Sequence, residues 1–293
     1  MEIKKGCLYI VGTPIGNMSD MSERAIHTLQ SVDFVAAEDT RVSGLLLSRL
    51  GVKKELLSCH EHNIVSKSET IISRLKKGES CAIVTDAGMP CISDPGELLV
   101  KACGENDITV YVVPGPCALT AALAVSGLDT RRFSFEGFLS VAKKQRSAHL
   151  DSVKESRSTL VFYEAPHKLK ATLADLLETL GDRKIAVCRE LTKMYEEVLR
   201  GQISDMVRLY DEKSPKGEYV LVIEGAKEPV TAQVIEKSLD KAAEFALRLH
   251  KSGTGVSQAA KIAAEENGLR KSDVYKKVLS LIAIFDEKQG DSL

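Results

Sequence analysis

Four apolar runs in the first half of the chain, at residues 7–13, 33–38, 81–85 and 108–113, alternate with segments of helical periodicity near 22–31, 41–50, 66–77 and 95–105. Strands joined through helices pair in parallel, and a parallel sheet must be covered on both faces. The loop after each run narrows the choice further. The runs end in Gly12-Thr13-Pro14-Ile15-Gly16-Asn17, in Ala37-Glu38-Asp39-Thr40-Arg41, in the stretch from Thr85-Asp86-Ala87-Gly88-Met89-Pro90 to Cys91-Ile92-Ser93-Asp94-Pro95-Gly96, and in Val113-Pro114-Gly115-Pro116-Cys117-Ala118. Open α/β sheets bind ligands at the carboxyl ends of their strands, so the four loops predict one shared pocket.

After a helical stretch at 117–126, Gly127-Leu128-Asp129-Thr130 breaks the rhythm, and further strand-like runs occur at 133–138, 159–163, 184–188 and 219–224. Beyond Gly225 the pattern is helical only, past a polar link at Lys227-Glu228-Pro229. The expected organisation is an α/β domain at 1–126, a second α/β domain at 127–228 and a small all-helical domain at 229–293, helix-turn-helix in character. In the last, Gly268 suits a left-handed stop after a helix at 257–266, and Ser272 is the expected N-cap of the next helix.

The net charge of -1 excludes a globally basic nucleic-acid binder. Two windows nonetheless carry a basic excess: 131–157 has seven Lys/Arg against three Asp/Glu, and 241–277 has eight against four. Seven cysteines without a C-x-x-C pair read as reduced thiols, and no apolar stretch approaches the roughly 18 residues of a membrane span. A cytoplasmic location, with no membrane partner, is expected.

The first loop is not a dinucleotide fingerprint, because its glycines are four apart and Pro14 lacks a donor; nor does it continue into the Gly-Lys-Ser/Thr of a P-loop. Asp86 and its neighbours would repel a polyphosphate. A zwitterionic or cationic ligand fits better, and a sulfonium cofactor with an amino-acid tail meets both demands: acids for its positive end, turn N–H groups for its carboxylate.

The first three loops and Pro114-Gly115-Pro116, together with His60-Glu61-His62-Asn63, Phe162-Tyr163-Glu164-Ala165-Pro166-His167 and Arg189-Glu190-Leu191-Thr192-Lys193, resemble the small-subunit ribosomal RNA methyltransferases of the tetrapyrrole methylase superfamily. The resemblance runs in order through about residues 7–225. It implies a two-domain α/β fold with S-adenosyl-L-methionine in the cleft between domains, commonly a homodimer, and methylation of the ribose 2′-hydroxyl of a cytidine in the decoding region of 16S rRNA, as free RNA or in the small subunit. Met89, Cys117 and Ser140 depart from the pattern, where a threonine, a serine and a proline are expected. On this resemblance the cofactor falls to Thr13, Pro14, Gly16, Asp86, Ala87, Gly88, Met89, Ser93, Cys117, Ala118, Tyr163 and Glu164.

Transfer to a hydroxyl gains from a base that accepts its proton. Asp39, Glu38 and His60 are the candidates, since they lie just past neighbouring strands; alternatively Asp39 caps the helix beginning near Thr40 and pairs with Arg41. His60 and His62 on one strand face could suggest a metal pair, but no third ligand appears at familiar spacing, so no metal is expected. RNA phosphates fall to Arg41, to Lys143, Lys144 and Arg146 in a loop after the strand at 133–138, to Arg189, and to Arg270, Lys271, Lys276 and Lys277. Two other readings are a tetrapyrrole C-methyltransferase and an RNA-binding assembly factor without turnover. The basic windows and the helical appendage favour RNA over a tetrapyrrole, and the intact loops favour an enzyme.

Overall fold

A computed structural model describes residues 2–227 and 232–290, and these form two compact units, Met1–Ala226 and Lys227–Leu293. The expected boundary at 228/229 falls outside the described residues.

In the first unit, β1 (Leu8–Val11), α1 (Glu23–Ser31), β2 (Phe34–Ala37), α2 (Thr40–Arg49), β3 (Glu55–Ser58), α3 (Ile64–Lys76), β4 (Cys81–Val84), α4 (Glu97–Glu105) and β5 (Val110–Val113) build a five-stranded sheet, order β3-β2-β4-β1-β5. Every pairing in it is parallel. The period-2 alternation decides which helices cover which face. Tyr9, Val11, Val35 and Ala37 pack with Ala25, Leu29 and Leu47 of α1 and α2, whereas Leu8, Phe34 and Ala36 pack with Ile71, Leu75, Leu99 and Cys103 of α3 and α4. The chain steps from β4 across β1 to β5, so the strand order reverses beside β1 and opens a crevice at the carboxyl edge.

Beyond α5 (Ala118–Ser126), the strands β6 (Phe133–Phe138), β7 (Thr159–Glu164), β8 (Lys184–Arg189), β9 (Glu197–Gln202) and β10 (Tyr219–Ile223) form a second sheet, order β6-β7-β10-β8-β9, interspersed with α6 (Lys143–Val153), α7 (Leu169–Leu180) and α8 (Ile203–Glu212). Only β6 and β7 run parallel; the other pairings are antiparallel. Leu150, Leu173, Leu176, Ile203 and Met206 of α6 to α8 cover one face. The other face is covered by Leu119, Ala122 and Leu123 of α5, which precedes the expected 126/127 boundary yet packs on the second sheet. Lys143, Lys144 and Arg146 lie in α6, not in a loop, and His60 to His62 lie in a turn after β3, not on a strand.

At the amino edge of the first sheet, Asp33 accepts bonds from Lys5 Nζ at 2.9 Å and from the Ser80 N–H and hydroxyl, both at 2.7 Å. Burial pushes this carboxyl up, but the Lys5 and Ser80 bonds outweigh it and hold the group at about 2 against an ordinary 3.8. A carboxyl lowered in the folded state stabilises above its unfolded value and loses that contribution as pH falls through the folded one. Urea midpoints should therefore drop between about pH 4 and pH 2, and the drop should be shallower in Asp33→Asn; parallel curves would show that Asp33 is no part of acid unfolding.

In the second unit, α9 (Ala232–Lys251), α10 (Val256–Asn267) and α11 (Lys271–Gly290) pack around Ala242, Ala243, Ala246, Ala259, Ala260, Ala263, Val274 and Val278. Small side chains let the helices approach closely. Gly268 ends α10 in the left-handed conformation, φ 62° and ψ 30°. Ser272 is not the N-cap: α11 starts at Lys271, and the Val274 N–H already bonds back to the Arg270 carbonyl.

Candidate active site

A cavity of about 480 Å³ opens between the carboxyl edge of the first sheet and the edge of the second formed by the ends of β6, β7 and β8 and the start of β10, within the range of small-molecule sites. Its first wall is built by Ile15 after β1, Glu38 after β2, residues 86–89 and 92–94 after β4, and Cys117 and Ala118 after β5. The facing wall is Phe138, Tyr163, Glu164, Ala165, Pro166, Cys188, Leu191, Glu218, Tyr219 and Val220. Four carboxylates line this space besides Glu164, and among the described residues no Lys, Arg or His does.

The loops are held by backbone contacts. Thr13 and Gly88 exchange N–H bonds of 2.8 and 3.2 Å, and the buried Thr13 hydroxyl donates to the Thr85 carbonyl at 3.1 Å. Thr13 therefore joins two loops, and neither it, Pro14 nor Gly16 lines the cavity. A Cβ on Gly16 would run into the Lys193 side chain. Met89, in place of the expected threonine, accepts the Gly115 N–H on its sulfur at 3.2 Å. In the same loop Cys91 and Ser93 have φ of 71° and 61°, conformations that non-glycine residues keep only where surroundings impose them. Tyr163 accepts the Leu119 N–H at 3.0 Å, and its ring meets Phe135 and Phe138 edge-on. Glu164, itself buried, engages its carboxylate with the Ala165 N–H and the Thr172 hydroxyl.

Of the three candidate bases, only Glu38 reaches the cavity. It accepts the Thr85 hydroxyl at 2.6 Å and, more weakly, the Asp86 N–H. Asp39 caps α2 through the Arg41 N–H at 2.8 Å and pairs with the Arg41 guanidinium at 2.6 Å. Those bonds from Arg41 hold its carboxyl down at about 2, a poor proton acceptor near neutral pH. His60 faces Asn63, whose Oδ1 accepts the His60 backbone N–H at 2.8 Å; its Nδ2 must then donate to His60 Nε2 at 3.1 Å. The ring proton is thereby assigned to Nδ1, which is buried without a partner, so His60 offers a donor and no free lone pair. No cluster of three or more His, Cys, Asp or Glu positioned for a metal exists among the described residues.

Of the residues expected at phosphates, Lys143 and Lys144 lie exposed in the first turn of α6, close in sequence to the cavity residue Phe138. Arg41 is 89% exposed beside Asp39. Arg146 is turned inward, to Asp175 at 2.6 Å and to the Ser140 and Val141 carbonyls, and Arg189 bonds the Lys216 carbonyl and Glu197. Arg270, Lys271 and Lys276 are exposed, whereas Lys277 pairs with Asp240 at 2.7 Å. Unforeseen from sequence were Asp94, Phe138, Leu191, Glu218 and Tyr219; the strand-end Gly137-Phe138 was the available signal, and Gly137 sits at a register shift with φ 63°.

A parallel sheet and a mixed sheet with one acid-walled cleft between them define a two-domain methylase architecture. Residues 7–207 match the family Tetrapyrrole (Corrin/Porphyrin) Methylases. The crystal structure of uroporphyrin-III-C-methyltransferase from Thermus thermophilus shares the fold, with TM-score 0.52 and 24% identity over 74% of this chain and 94% of that one. Two proteins named ribosomal RNA small subunit methyltransferase I are more similar in sequence. That of Synechocystis is 44% identical over 279 residues, 95% of this chain and 99% of its own length. That of Thermotoga maritima is 47% identical over 220 residues, 75% of this chain and 99% of its own length. The chain belongs to the ribosomal RNA small subunit methyltransferase I family of the tetrapyrrole methylases, and it is a methyltransferase.

Proposed function

We propose that the chain methylates the ribose 2′-hydroxyl of a cytidine in 16S rRNA of the small subunit, with S-adenosylmethionine as donor, and that it works in the cytoplasm as a homodimer. The observation that carries this reading is a cavity that offers carboxylates and the N-terminus of α5, where Cys117 makes no side-chain cap and Tyr163 takes only the Leu119 N–H, yet no cation among the described residues. The residues fit the donor: Glu38, Asp86 and Asp94 would offset its positive charge, the α5 N-terminus would take its carboxylate, and Phe138, Tyr163, Ile92 and Leu191 would enclose its base. When bound, S-adenosylmethionine supplies a methyl carbon on a sulfonium and leaves as a thioether. The chain's own share is alignment, which can contribute roughly 7–11 kcal/mol, and exclusion of water. RNA as acceptor is supported by the relatives' names and by Lys143 and Lys144, exposed cations in the first turn of α6, which starts five residues past the cavity residue Phe138. Among the described residues no helix is long and apolar enough to cross a membrane.

Calorimetric titration should show S-adenosylmethionine and S-adenosylhomocysteine binding and raising the melting temperature, while NAD and ATP do neither. Binding of NAD with no response to S-adenosylmethionine would end the methyltransferase reading. Labelled donor offered with small subunits from a strain lacking this protein should yield 2′-O-methylcytidine on nucleoside mass mapping. A labelled tetrapyrrole would point to the alternative substrate, and RNA binding without label to an assembly factor. Sedimentation should give the mass of two chains.

A further inference from the structure

Resting on the 2′-O-methylation reading, we propose that Asp94 is the group that accepts the ribose hydroxyl proton. Asp94 lines the cavity from the loop after β4, and among the described residues no cation pairs with it. The other carboxylates on the first wall have partners of their own, and the Thr85 hydroxyl, which donates to Glu38, lies within reach of Asp94 as well. Glu38 takes the Thr85 hydroxyl, and Asp86 takes the Asp39 N–H at 3.2 Å. Asp39 lies outside the cavity, tied to Arg41, and the His60 Nε2 lone pair faces the Asn63 amide. The segment that presents Asp94 holds two non-glycine residues at positive φ, Cys91 and Ser93, and ends at Gly96 with φ 131°, so its placement is imposed by the fold. A Cβ on Gly137 would stand 3.3 Å from the Ser93 hydroxyl, which puts this segment against the second sheet, where an acceptor entering between the walls would lie.

The groups acting on Asp94 are Glu38 after β2, Asp86 and the Thr85 hydroxyl after β4, Cys91 from its own loop and Tyr163 from β7. Burial first, then the Glu38 charge, push its carboxyl up to about 6, with Thr85 pulling the other way and Asp86 adding to the rise. That basicity suits proton transfer near neutral pH better than the Asp39 carboxyl does. The balance closes without another reactant. The ribose O–H bond breaks as the O–CH₃ bond forms, the proton passes to the Asp94 carboxylate, and the pair from the broken S–CH₃ bond stays on sulfur.

Single-turnover transfer to small subunits, measured against pH, tests the assignment beside calorimetry with S-adenosylhomocysteine. The wild-type rate should fall as pH drops through about 6. Asp94→Asn should bind S-adenosylhomocysteine within about threefold of wild type, yet transfer methyl about 10²–10⁴-fold more slowly and without that acid limb. Asp94→Glu should recover part of the rate with the limb displaced. An Asn variant with wild-type rate and limb, or one that loses S-adenosylhomocysteine more than tenfold, overturns the proposal; should that variant not fold, an unmoved limb in Asp94→Glu does so. If the wild-type enzyme puts no methyl on ribose, the reading beneath it fails instead, and the product analysis shows which.

Discussion

Gly115→Ala is expected to weaken S-adenosylmethionine binding by at least about tenfold and to lower the melting temperature by several degrees. A Cβ at 115 would stand 2.8 Å from the Gly12 Cα, 2.9 Å from its carbonyl carbon and 3.0 Å from its oxygen. These are backbone atoms with little freedom to give way. The Gly12 N–H is bonded to the Val113 carbonyl at 3.1 Å, and the next residue, Thr13, is pinned to Gly88. The clash must therefore spread into the β1 and β5 loops, with Met89, which sits 2.7 Å from where a Gly12 Cβ would lie, displaced as well. Overpacking of this kind costs about 1–3 kcal/mol, which is roughly 2–12 °C in a domain of this size. Gly104→Ala is the control, an exposed α4 position where an added Cβ meets nothing within 4 Å; there alanine should be neutral or stabilising by about 0.5–1 kcal/mol. Wild-type affinity in Gly115→Ala would mean that the loops are looser than their contacts imply.

The loops could be found in the sequence because their physics is local. Short continuous apolar runs mark buried strands, and Gly, Pro and Asp clusters mark where they stop. Two of the four edge strands, β3 and β9, carried too little of that signal. Glu55-Leu56-Leu57-Ser58 has only two apolar residues between polar ends, and β9 has only Val198 and Leu199 before Arg200 and Gly201. Helix α6 reads as a loop because Leu150 is its only buried residue among those described, so no apolar stripe marks it. Asp39 shows how far the site could be read. Its roles as a helix cap and as the partner of Arg41 were visible in Asp39-Thr40-Arg41, but that Asp94 lies in the cavity beside Glu38 and Asp86 depends on segments distant in sequence and shows only in three dimensions. The mixed sheet was likewise hidden, since strand direction depends on which runs pair.

Deleting residues 227–293 should leave a folded protein that binds S-adenosylmethionine with wild-type affinity but holds RNA more weakly and with less sensitivity to salt. Every cavity residue precedes 221, and the cores on both sheets draw only on residues of the first unit. The Thermotoga maritima relative supports the cut, because 220 matched residues make up 99% of its length, close to the 226 residues of the first unit here. The cations removed include exposed Arg270, Lys271 and Lys276; Lys277, held by Asp240, is the least free to meet a phosphate. Each lost phosphate contact lowers the slope of log affinity against log salt by about 0.7–0.9, so two contacts should reduce it by roughly 1.5. RNA affinities for the full chain and the deletion at several salt concentrations decide the matter. Equal affinity and equal slope would leave phosphate binding to Lys143 and Lys144 in α6, and double alanine substitution there should then produce the fall in slope that the deletion did not.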